Sequence, residues 1–450
     1  MKKSIYFIGV GGIGVSALAK YYLENGYQVF GSDLVASEIT DSLRKAGAEI
    51  FIINSKIKSQ NSKLKLKIQN LIKKVDLVIY SPAVSKNHSD LRLARKLKIK
   101  CQSYPQALGE LTKKYFTIAV AGTHGKSTTT AMIGILLTRA GLDPTVIVGT
   151  KIKEFDDSNC RVGKSKYLVI EADEHFASFL NYRPKIIVLT TIEADHLDYY
   201  KNLRNIISAF KKFVSHLPKD GFLIANRDDK NIHNTFFTTV ENVLWYSLKD
   251  EESEKLRKIL KVPGEHNVSN ALAALKVAQL LKIPDKIAFK ALAEYRGAWR
   301  RFEEKNLKIE KGNLKIILDY AHHPTELKVT LKAAREKYPN KKIWCLFQPH
   351  QYQRTFYLFN DFIKIFKKIL EKKWADKLFI TDIFDVPGRE SEEIKRKVNA
   401  QELIKRVGLK NINYIAKNET ANWIKENFKK IDILMIIGAG DIYNLTTKIN

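Results

Sequence analysis

The sequence predicts an α/β protein made of three successive domains, each built around a largely parallel β-sheet. The chain has 450 residues, and about 150 residues per domain gives three as the expected number. Short apolar runs recur along the chain, each ends in polar residues, and helical patterns separate them, as in sheets with helices on both faces. We expect domains at residues 1–110, 111–303 and 304–450.

The first domain opens with a strand, a glycine-rich turn and a helix. Residues 4–10 (SIYFIGV) are mostly apolar and predict a buried strand, helical spacing covers 15–25, and a second strand at 28–31 leads to Asp33. The turn between them contains four glycines, Gly9, Gly11, Gly12 and Gly14. Glycines interrupt an apolar segment that would otherwise suit a signal peptide, and they serve better as a phosphate loop. The pattern predicts a Rossmann-like domain, although alone it is weak evidence for a dinucleotide.

A second phosphate loop begins the central domain. The strand-like residues from Phe116 lead into Gly122, Thr123, His124, Gly125, Lys126, Ser127 and Thr128, which open a helix. Backbone N–H groups and the helix N-terminus would hold a polyphosphate, Lys126 would reach its β and γ oxygens, and Ser127 would bind Mg²⁺. Val120 stands where the general pattern has glycine. The loop predicts a P-loop α/β domain that binds a nucleoside triphosphate.

Two acidic segments end later strands of the same domain. One runs from Glu171 to Glu174 and the other from Glu193 to His196. Each alone is more often a solvated loop. A carboxylate and a neutral imidazole at neighbouring strand ends would suit a second divalent metal beside the nucleotide, and two such segments in the domain that carries the loop favour this interpretation.

The last domain repeats the pattern of a buried strand followed by polar residues. Strand-like runs end in DYAHHPTE from Asp319, in QPH from Gln348 and in GAGD from Gly438. Chemistry in open α/β sheets sits at such strand ends. We therefore expect a second Rossmann-like sheet, with functional residues at its carboxyl edge.

The charge of the chain bears on its partners. Lys plus Arg number 77 against 48 Asp plus Glu, which gives a net charge of +29. Such a balance suggests polyanionic partners, and a nucleic-acid-binding P-loop ATPase is the alternative from a different class. We expect no nucleic-acid partner, because RNP-like aromatic strands, zinc-ligand spacing and recognition-helix motifs are missing from the sequence. The lysine-rich stretch 55–74 is typical of a solvated helix face.

Composition also bears on the compartment. No run of 18 apolar residues occurs, so we expect no membrane insertion. The three cysteines, Cys101, Cys160 and Cys345, are too few and too widely spaced for a disulfide framework, which fits a reducing, cytoplasmic setting.

Taken together, the motifs resemble those of the ATP-dependent Mur ligases. They are GTHGKST at 122, EADE at 171, TIEADHLD at 191, GEHNVSNALAA at 264, RRFE at 300, DYAHHPTE at 319, FQPHQYQRT at 347 and GAGDI at 438. The resemblance spans nearly the whole chain in order. It implies a cytoplasmic enzyme of peptidoglycan precursor synthesis, monomeric or weakly dimeric, that uses ATP and Mg²⁺. The chain is most similar to the branch that joins L-alanine to UDP-N-acetylmuramate through an acyl phosphate.

The resemblance also implies roles for individual residues. UDP-sugar contacts would come from Gly9, Gly11, Gly12, Gly14 and Ser81, and ATP contacts from residues 122–128, Asn267, Asn270, Arg301 and Asp319. Ser127, Glu171 and His196 would bind metal, and Tyr320, His350 and Arg354 would surround the amino acid. Lys126, Glu171, His196 and His350 would be catalytic, with His350 or another motif histidine accepting the proton of the amine.

The sequence departs from the family pattern at three places. His175 and Phe176 replace a usual Ser-Asp pair, Gln351 stands where the family commonly has arginine, and the segment 246–264 is short. Glutamine cannot hold a carboxylate by a bidentate fork, so glycine or serine are alternative amino acids. Two relatives remain as alternatives, the ligase that recycles murein tripeptide and folylpolyglutamate synthase. An NAD-dependent dehydrogenase, suggested by the first glycine turn alone, is weaker.

Overall fold

The computed structural model describes residues 2–53, 58–309, 312–386 and 390–449. These residues form three β-sheets. The chain packs into two compact units. Unit 1 comprises Met1–Ile192, Ile207–Ser247 and Ala273–Leu292, and unit 2 comprises Glu193–Ile206, Leu248–Leu272 and Ala293–Asn450.

The first sheet lies in unit 1 and is entirely parallel, in the order β3-β2-β1-β4-β5. Its strands are β1 (Ser4–Ile8), β2 (Gln28–Asp33), β3 (Glu49–Ile52), β4 (Leu77–Tyr80) and β5 (Lys100–Ser103). Its helices are α1 (Ile13–Glu24), α2 (Glu38–Lys45), α3 (Lys58–Ile72), α4 (Ser89–Lys96) and α5 (Tyr104–Thr112). Every residue of β1 is buried, as expected for a parallel strand covered on both faces.

The sequence placed these first elements within a few residues. The strand expected at 4–10 ends at Ile8 because Gly9 turns the chain with a φ of +76°, and the helix expected at 15–25 begins earlier, at Ile13. The lysine-rich stretch 55–74 contains helix α3, although its residues 55–57 lie outside the described part of the chain.

The second sheet also lies in unit 1, in the order β12-β11-β10-β6-β9-β7-β8, and only β7 and β8 pair antiparallel. Its strands are β6 (Phe116–Ala121), β7 (Thr145–Ile152), β8 (Ser158–Arg161), β9 (Tyr167–Glu171), β10 (Ile186–Leu189), β11 (Phe222–Asn226) and β12 (Val243–Tyr246). The α-helices of this part of the chain are α6 (Lys126–Arg139), α7 (Leu197–Tyr200), α8 (Leu203–Val214), α9 (Lys230–Phe236), α10 (Glu252–Ile259), α11 (Glu265–Leu280) and α12 (Asp285–Glu294). Short 3-10 helices cover Lys153–Phe155 and His175–Asn181.

The third sheet lies in unit 2, in the order β13-β14-β18-β15-β16-β17. Its strands are β13 (Glu303–Ile309), β14 (Gly312–Asp319), β15 (Ile343–Phe347), β16 (Lys377–Ile380), β17 (Ile412–Tyr414) and β18 (Ile433–Ile437). The α-helices are α13 (Pro324–Lys337), α14 (Tyr352–Tyr357), α15 (Phe359–Glu371), α16 (Glu392–Lys397), α17 (Ala400–Val407), α18 (Thr420–Asn427) and α19 (Leu445–Lys448), with 3-10 turns at Phe428–Lys430 and Ile442–Asn444. β13 pairs antiparallel with β14, and the other pairs are parallel.

Two further properties follow from this packing. Among the described residues no helix combines the length and apolar character needed to cross a membrane. All three cysteines are free: Cys160 and Cys345 are buried, and Cys101 on β5 is partly exposed.

Candidate functional site

The glycine-rich turn lies at the topological switch point of the first sheet, where the order of successive strands reverses. Strands β2 and β4 flank β1 on opposite sides, so the turn after β1 and Ser81 after β4 come from adjacent carboxyl ends, where α/β sheets bind ligands. Gly9 donates its N–H to the Ser32 carbonyl (2.9 Å), and Ser81 donates its own to the Ile8 carbonyl (2.9 Å). The structure therefore brings Ser81 beside the turn.

Asp33 holds the turn itself. Its Oδ2 accepts the Gly11 N–H at 2.7 Å, and its Oδ1 accepts the Leu34 N–H at 2.7 Å. A Cβ at Gly11 would lie 2.9 Å from Oδ2, so only glycine lets the backbone approach so closely. The carboxylate is thus used within the protein, whereas a dinucleotide site would present it to a ribose.

The second phosphate loop is held by the end of the neighbouring strand. It follows β6, which lies between β10 and β9. Thr123 donates its N–H to the Thr191 carbonyl (2.8 Å), and His124 donates its N–H to Thr191 Oγ1 (2.9 Å). Gly125 caps helix α6 with a φ of +81°, a left-handed conformation that glycine adopts without strain. Helix α6 thus begins at the loop, as a phosphate site requires.

Lys126 is engaged by its own loop and by a carboxylate. Its Nζ donates to the carbonyls of Gly122 (2.7 Å) and Thr123 (3.2 Å), and it lies 2.9 Å from Glu174 Oε2. Burial alone would lower the pKa of Lys126, but the carboxylates led by Glu174 raise it above its usual value. Burial raises the pKa of Glu174 to about 7, against the effect of the lysine. Glu174 is therefore paired with the lysine that would otherwise bind a phosphate.

Ser127 and Glu171 form a pair of oxygen donors beside the loop. Ser127 Oγ donates to Glu171 Oε1 at 2.9 Å, and Gly149 donates its N–H to Glu171 Oε2 at 2.7 Å. Glu171 ends β9, the neighbour of β6. A hydroxyl and a carboxylate are hard oxygen ligands, which fit Mg²⁺ completed by nucleotide phosphates and water.

The second acidic segment belongs to unit 2, where side chains of the third sheet region hold it. Asp195 Oδ1 lies 3.1 Å from Arg354 Nε, and Thr325 Oγ1 donates to Glu193 Oε2 at 2.7 Å. Burial alone would raise the pKa of Asp195, but the Arg354 guanidinium and the neighbouring His196, His322 and His323 together outweigh burial and hold this pKa well below its usual range. His196 follows with a φ of +50°. Because His196 and Glu171 belong to different units, their sharing of one metal stays a prediction.

His350 and Arg354 contact each other at the end of β15. Arg354 Nη1 lies 3.1 Å from His350 Nδ1, and the His350 ring stacks on Phe384 with a centroid distance of 5.4 Å. A guanidinium only donates, so Nδ1 accepts and the proton of the neutral ring is on Nε2. Gln351, with a φ of +68°, places its Oε1 3.4 Å from Arg354 Nη1. Accepting a proton at Nδ1 therefore requires release of Arg354.

Arg300, which the sequence did not single out, is buried beside Arg301. Its guanidinium packs against the rings of Tyr443 (4.1 Å) and Tyr320 (4.8 Å) and donates to the Gly440 carbonyl at 3.2 Å. It also donates to the Gly438 carbonyl. This contact fixes the loop after β18, whereas Arg301, chosen from the same RRFE motif, lies over Tyr320 at 5.1 Å.

Asp319 uses both carboxylate oxygens for backbone contacts. Oδ2 accepts the Phe302 N–H and Oδ1 accepts the Ala321 N–H, both at 2.8 Å. Burial raises the pKa of Asp319, and Arg301 opposes the rise. The residue thus ties strand β14 to the RRFE segment.

Asn267 and Asn270 lie one turn apart on helix α11 in unit 2. Asn267 Nδ2 donates to the Pro263 carbonyl at 2.7 Å, and the two amides are 3.4 Å apart. His266 lies next to them, and burial lowers its pKa to about 4. A Cβ at Gly264 would lie 2.6 Å from His266 Cε1, so glycine makes room for the ring.

The structure groups the sequence-predicted residues into two sets. Unit 1 contains the first glycine turn, Ser81, residues 122–128 and Glu171, and unit 2 contains His196, Asn267, Asn270, Arg301, Asp319, Tyr320, His350 and Arg354. Sequence reasoning missed Gly149, Glu174 and Arg300 as contacts of the site. Glu174 lies in the EADE motif, which was a usable signal, whereas neither Gly149 nor the choice between the two arginines had one.

Comparison with known proteins gives three family models along the chain. Residues 4–116 match the Mur ligase family catalytic domain, 120–278 the Mur ligase middle domain and 300–440 the Mur ligase glutamate ligase domain. The chain is 37% identical to a UDP-N-acetylmuramate--L-alanine ligase of Clostridium botulinum, over 98% of this chain and 96% of that protein. It is 37% identical to the protein of that name from Clostridium acetobutylicum, over 99% and 97%.

Solved structures agree with these models. The UDP-N-acetylmuramate-alanine ligase MurC of Thermotoga maritima superimposes with a TM-score of 0.77 at 27% identity, over 99% of this chain and 98% of that one. The murein peptide ligase of Psychrobacter arcticus shares the fold, with a TM-score of 0.71 at 22% identity, over 99% and 98%. The three-domain α/β architecture expected from the sequence is thereby confirmed. The chain belongs to the Mur ligase family.

Proposed function

We propose that the protein joins L-alanine to UDP-N-acetylmuramate at the expense of ATP, as a step of peptidoglycan precursor synthesis. The observation that carries this proposal is the phosphate loop of residues 122–128 with Glu171 at the adjacent strand end, in a chain 37% identical to ligases of that name. A rival of the same family would use a recycled peptide as the amine. The residue that bears on the choice of amine is Gln351, which stands where the family commonly has arginine and lies beside Arg354.

The chemistry proceeds in two transfers. A carboxylate oxygen of the muramyl lactyl group attacks the γ-phosphorus of ATP, the bond to the bridging oxygen breaks, and ADP leaves. The uncharged amine of alanine then attacks the acyl carbon, the phosphate leaves, and the amide forms after the nitrogen loses its proton. Positioning and charge neutralisation dominate the first transfer.

The chain's own residues have the following proposed roles. The turn of Gly9, Gly11, Gly12 and Gly14, with Ser81, binds the UDP moiety, and residues 122–128, Asn267, Asn270, Arg301 and Asp319 bind ATP. Lys126 neutralises the transferred phosphate once it exchanges Glu174 for the nucleotide. Tyr320, His350 and Arg354 surround alanine.

Magnesium fits the oxygen donors at the loop. Ser127 and Glu171 would hold it, and His196 is the further proposed ligand. When bound, Mg²⁺ neutralises phosphate charge and makes the γ-phosphorus more electrophilic. Glu171 is kept in place by the N–H of Gly149 (2.7 Å).

We further propose domain boundaries of 1–110, 111–303 and 304–450, a cytoplasmic location and a monomer or weak homodimer. The three sheets, whose strands run from residue 4 to 103, 116 to 246 and 303 to 437, support boundaries within a few residues of these, since helix α5 ends at Thr112 and β13 begins at Glu303. The free cysteines support a reducing compartment.

The direct test supplies purified protein with ATP, Mg²⁺, UDP-N-acetylmuramate and a panel containing alanine, glycine, serine and the alanyl-γ-glutamyl tripeptide. Phosphate release and product mass are followed. We expect an amide product with alanine. A product with the tripeptide alone would favour the recycling ligase, and the lack of any amide product would overturn the proposal.

Replacing Lys126 tests the phosphate loop. Lys126→Ala removes the cation that we propose to neutralise the transferred phosphate, so we expect turnover to fall below detection. Circular dichroism checks the fold, because the buried Glu174 loses its partner. Lys113→Ala is the matched control, since Lys113 is half exposed and its ion pair with Glu110 (2.7 Å) lies at the surface. Substantial turnover by Lys126→Ala would contradict the assignment.

Replacing His350 tests the proton acceptor. If His350 accepts the amine proton, His350→Ala should lower kcat and remove a limb of its pH profile. An unchanged kcat and pH profile would exclude this role and leave other motif histidines.

A further inference from the structure

One hairpin of the second sheet lies between the two phosphate-binding turns of unit 1. It comprises β7, the 3-10 turn Lys153–Phe155 and β8, and we call residues 145–161 the bridge hairpin. β7 pairs with β9, the strand that ends in Glu171, so that Ile147 lies opposite Ile170. The register between β7 and β8 is interrupted between Ile147 and Ile152, which frees the backbone there to make other contacts.

The first contact reaches the ATP side. Gly149, within the interrupted stretch, donates its N–H to Glu171 Oε2 at 2.7 Å, while Ser127 binds the other oxygen. A Cβ at this position would lie 2.7 Å from Oε2 and 3.2 Å from Cδ. The backbone of Gly149 is not in the left-handed region, so an alanine fits the chain and displaces only the end of the glutamate.

The second contact reaches the UDP side. Asn159 on β8 is 3% exposed. Its Nδ2 donates to the Ile13 carbonyl (2.5 Å) and to Ser16 Oγ (2.9 Å). Ile13 begins helix α1 directly after Gly12, so Gly14, which was expected in the turn, lies in the first turn of the helix. A buried amide that donates its hydrogen bonds to the first turn of a helix holds that helical turn in place.

We propose that the bridge hairpin positions both phosphate sites, with Gly149 orienting Glu171 and Asn159 orienting the glycine turn. The inference rests on the proposed function. Gly149 and Asn159 are positioning residues, because each acts through a group that would contact a ligand. The hairpin also makes a surface ion pair, Lys151 with Glu38 at 2.8 Å, which contributes little.

The test crosses two variants with two binding measurements. For Gly149→Ala we expect Mn²⁺ to bind about 10-fold or more weakly, as when a metal ligand loses its hydrogen-bond partner. Electron paramagnetic resonance in the presence of a non-hydrolysable ATP analogue measures this binding. The Kd for UDP-N-acetylmuramate, from calorimetry, should stay unchanged. Lys151→Met, on the same hairpin, is the matched control and should change neither.

For Asn159→Ala we expect the reverse: a Kd for UDP-N-acetylmuramate raised roughly 10-fold, with Mn²⁺ binding unchanged. If Asn159→Ala does not fold, Ser16→Ala is used in its place, because it removes one of the two acceptors of the Asn159 amide. Wild-type affinities for both ligands in the two variants would overturn the inference. Failure of the wild-type protein to bind either ligand would instead overturn the proposed function.

Discussion

The buried ion pair of Asp195 and Arg354 makes the stability of the protein depend on single side chains of the candidate site. The side chains are 7% and 8% exposed, and their N···O distance is 3.1 Å. A buried pair costs desolvation, and the loss of one partner leaves an uncompensated charge. The same arginine also contacts His350, so one residue links this buried pair to the proposed amino-acid site.

Arg354→Met should therefore destabilise the protein by about 3–5 kcal/mol, because Asp195 stays buried without its cation. Adding Asp195→Asn should recover most of that loss. Thermal unfolding of both single variants and the double variant measures the coupling. Additive effects of the two substitutions would show that the pair does not act as a unit.

His266 gives a pH dependence with a defined sign. Burial lowers its pKa to about 4, from the ordinary histidine value of 6.5. A lowered histidine pKa contributes stability that is present above pH 6.5 and lost as the pH falls toward 4, by up to about 3 kcal/mol. His266→Gln should lose less stability than wild type between about pH 7 and pH 4.5. His88→Gln, on unit 1, controls for the loss of a histidine, and equal acid sensitivity of His266→Gln and wild type would contradict the argument.

Among the helices and strands, helix α6 packs closely on the second sheet, and this packing places the phosphate loop that precedes the helix. The helix is buried along most of its length, and it packs on β7 through Gly134. A Cβ at Gly134 would lie 2.9 Å from Val146 Cγ2 and 3.3 Å from Phe155 Cζ. The glycine is unfavourable for the helix but lets it approach the sheet.

Gly134→Ala should consequently destabilise the protein by about 1–2 kcal/mol, because overpacking outweighs the gain in helix propensity. Val146→Ala removes the crowded methyl groups, so the double variant should be more stable than the sum of the single changes predicts. Urea unfolding at neutral pH measures this. A stabilising Gly134→Ala would mean that the helix moves away at no cost.

At the scale of the whole molecule, the sequence predicts what depends on continuous patterns. Strands such as β1 and β10 are unbroken apolar runs, and both phosphate turns follow such strands directly, so their places could be read from the chain. The bridge hairpin could not, because the apolar run of β7 stops at Gly149 and β8 (Ser158–Arg161) is short and mostly polar. The contact of Asp195 with Arg354, 159 positions apart, depends on how the segment Glu193–Ile206 packs within unit 2. The choice of Arg300 for burial depends on its contact with the loop after β18.

The net charge of +29 also acts at this scale. Both proposed nucleotide substrates are polyanions, so their KM values should rise severalfold between about 50 and 500 mM KCl as salt screens long-range attraction. Exchanging Lys63 and Lys65 of helix α3 for glutamine should leave KM unchanged, if that face is only solvated. A large rise in KM for this variant would assign the helix a part in substrate capture.

The distribution of thiols makes the wild-type chain suitable for spectroscopic labelling. Burial raises the pKa of all three thiols, but Cys160 and Cys345 are buried whereas Cys101 is partly exposed. A maleimide fluorophore should therefore attach first to Cys101, at the edge strand β5 of unit 1, and peptide mass mapping would show it. A single reporter on the domain with the glycine turn would be obtained without any substitution, and its emission could follow nucleotide-sugar binding in real time.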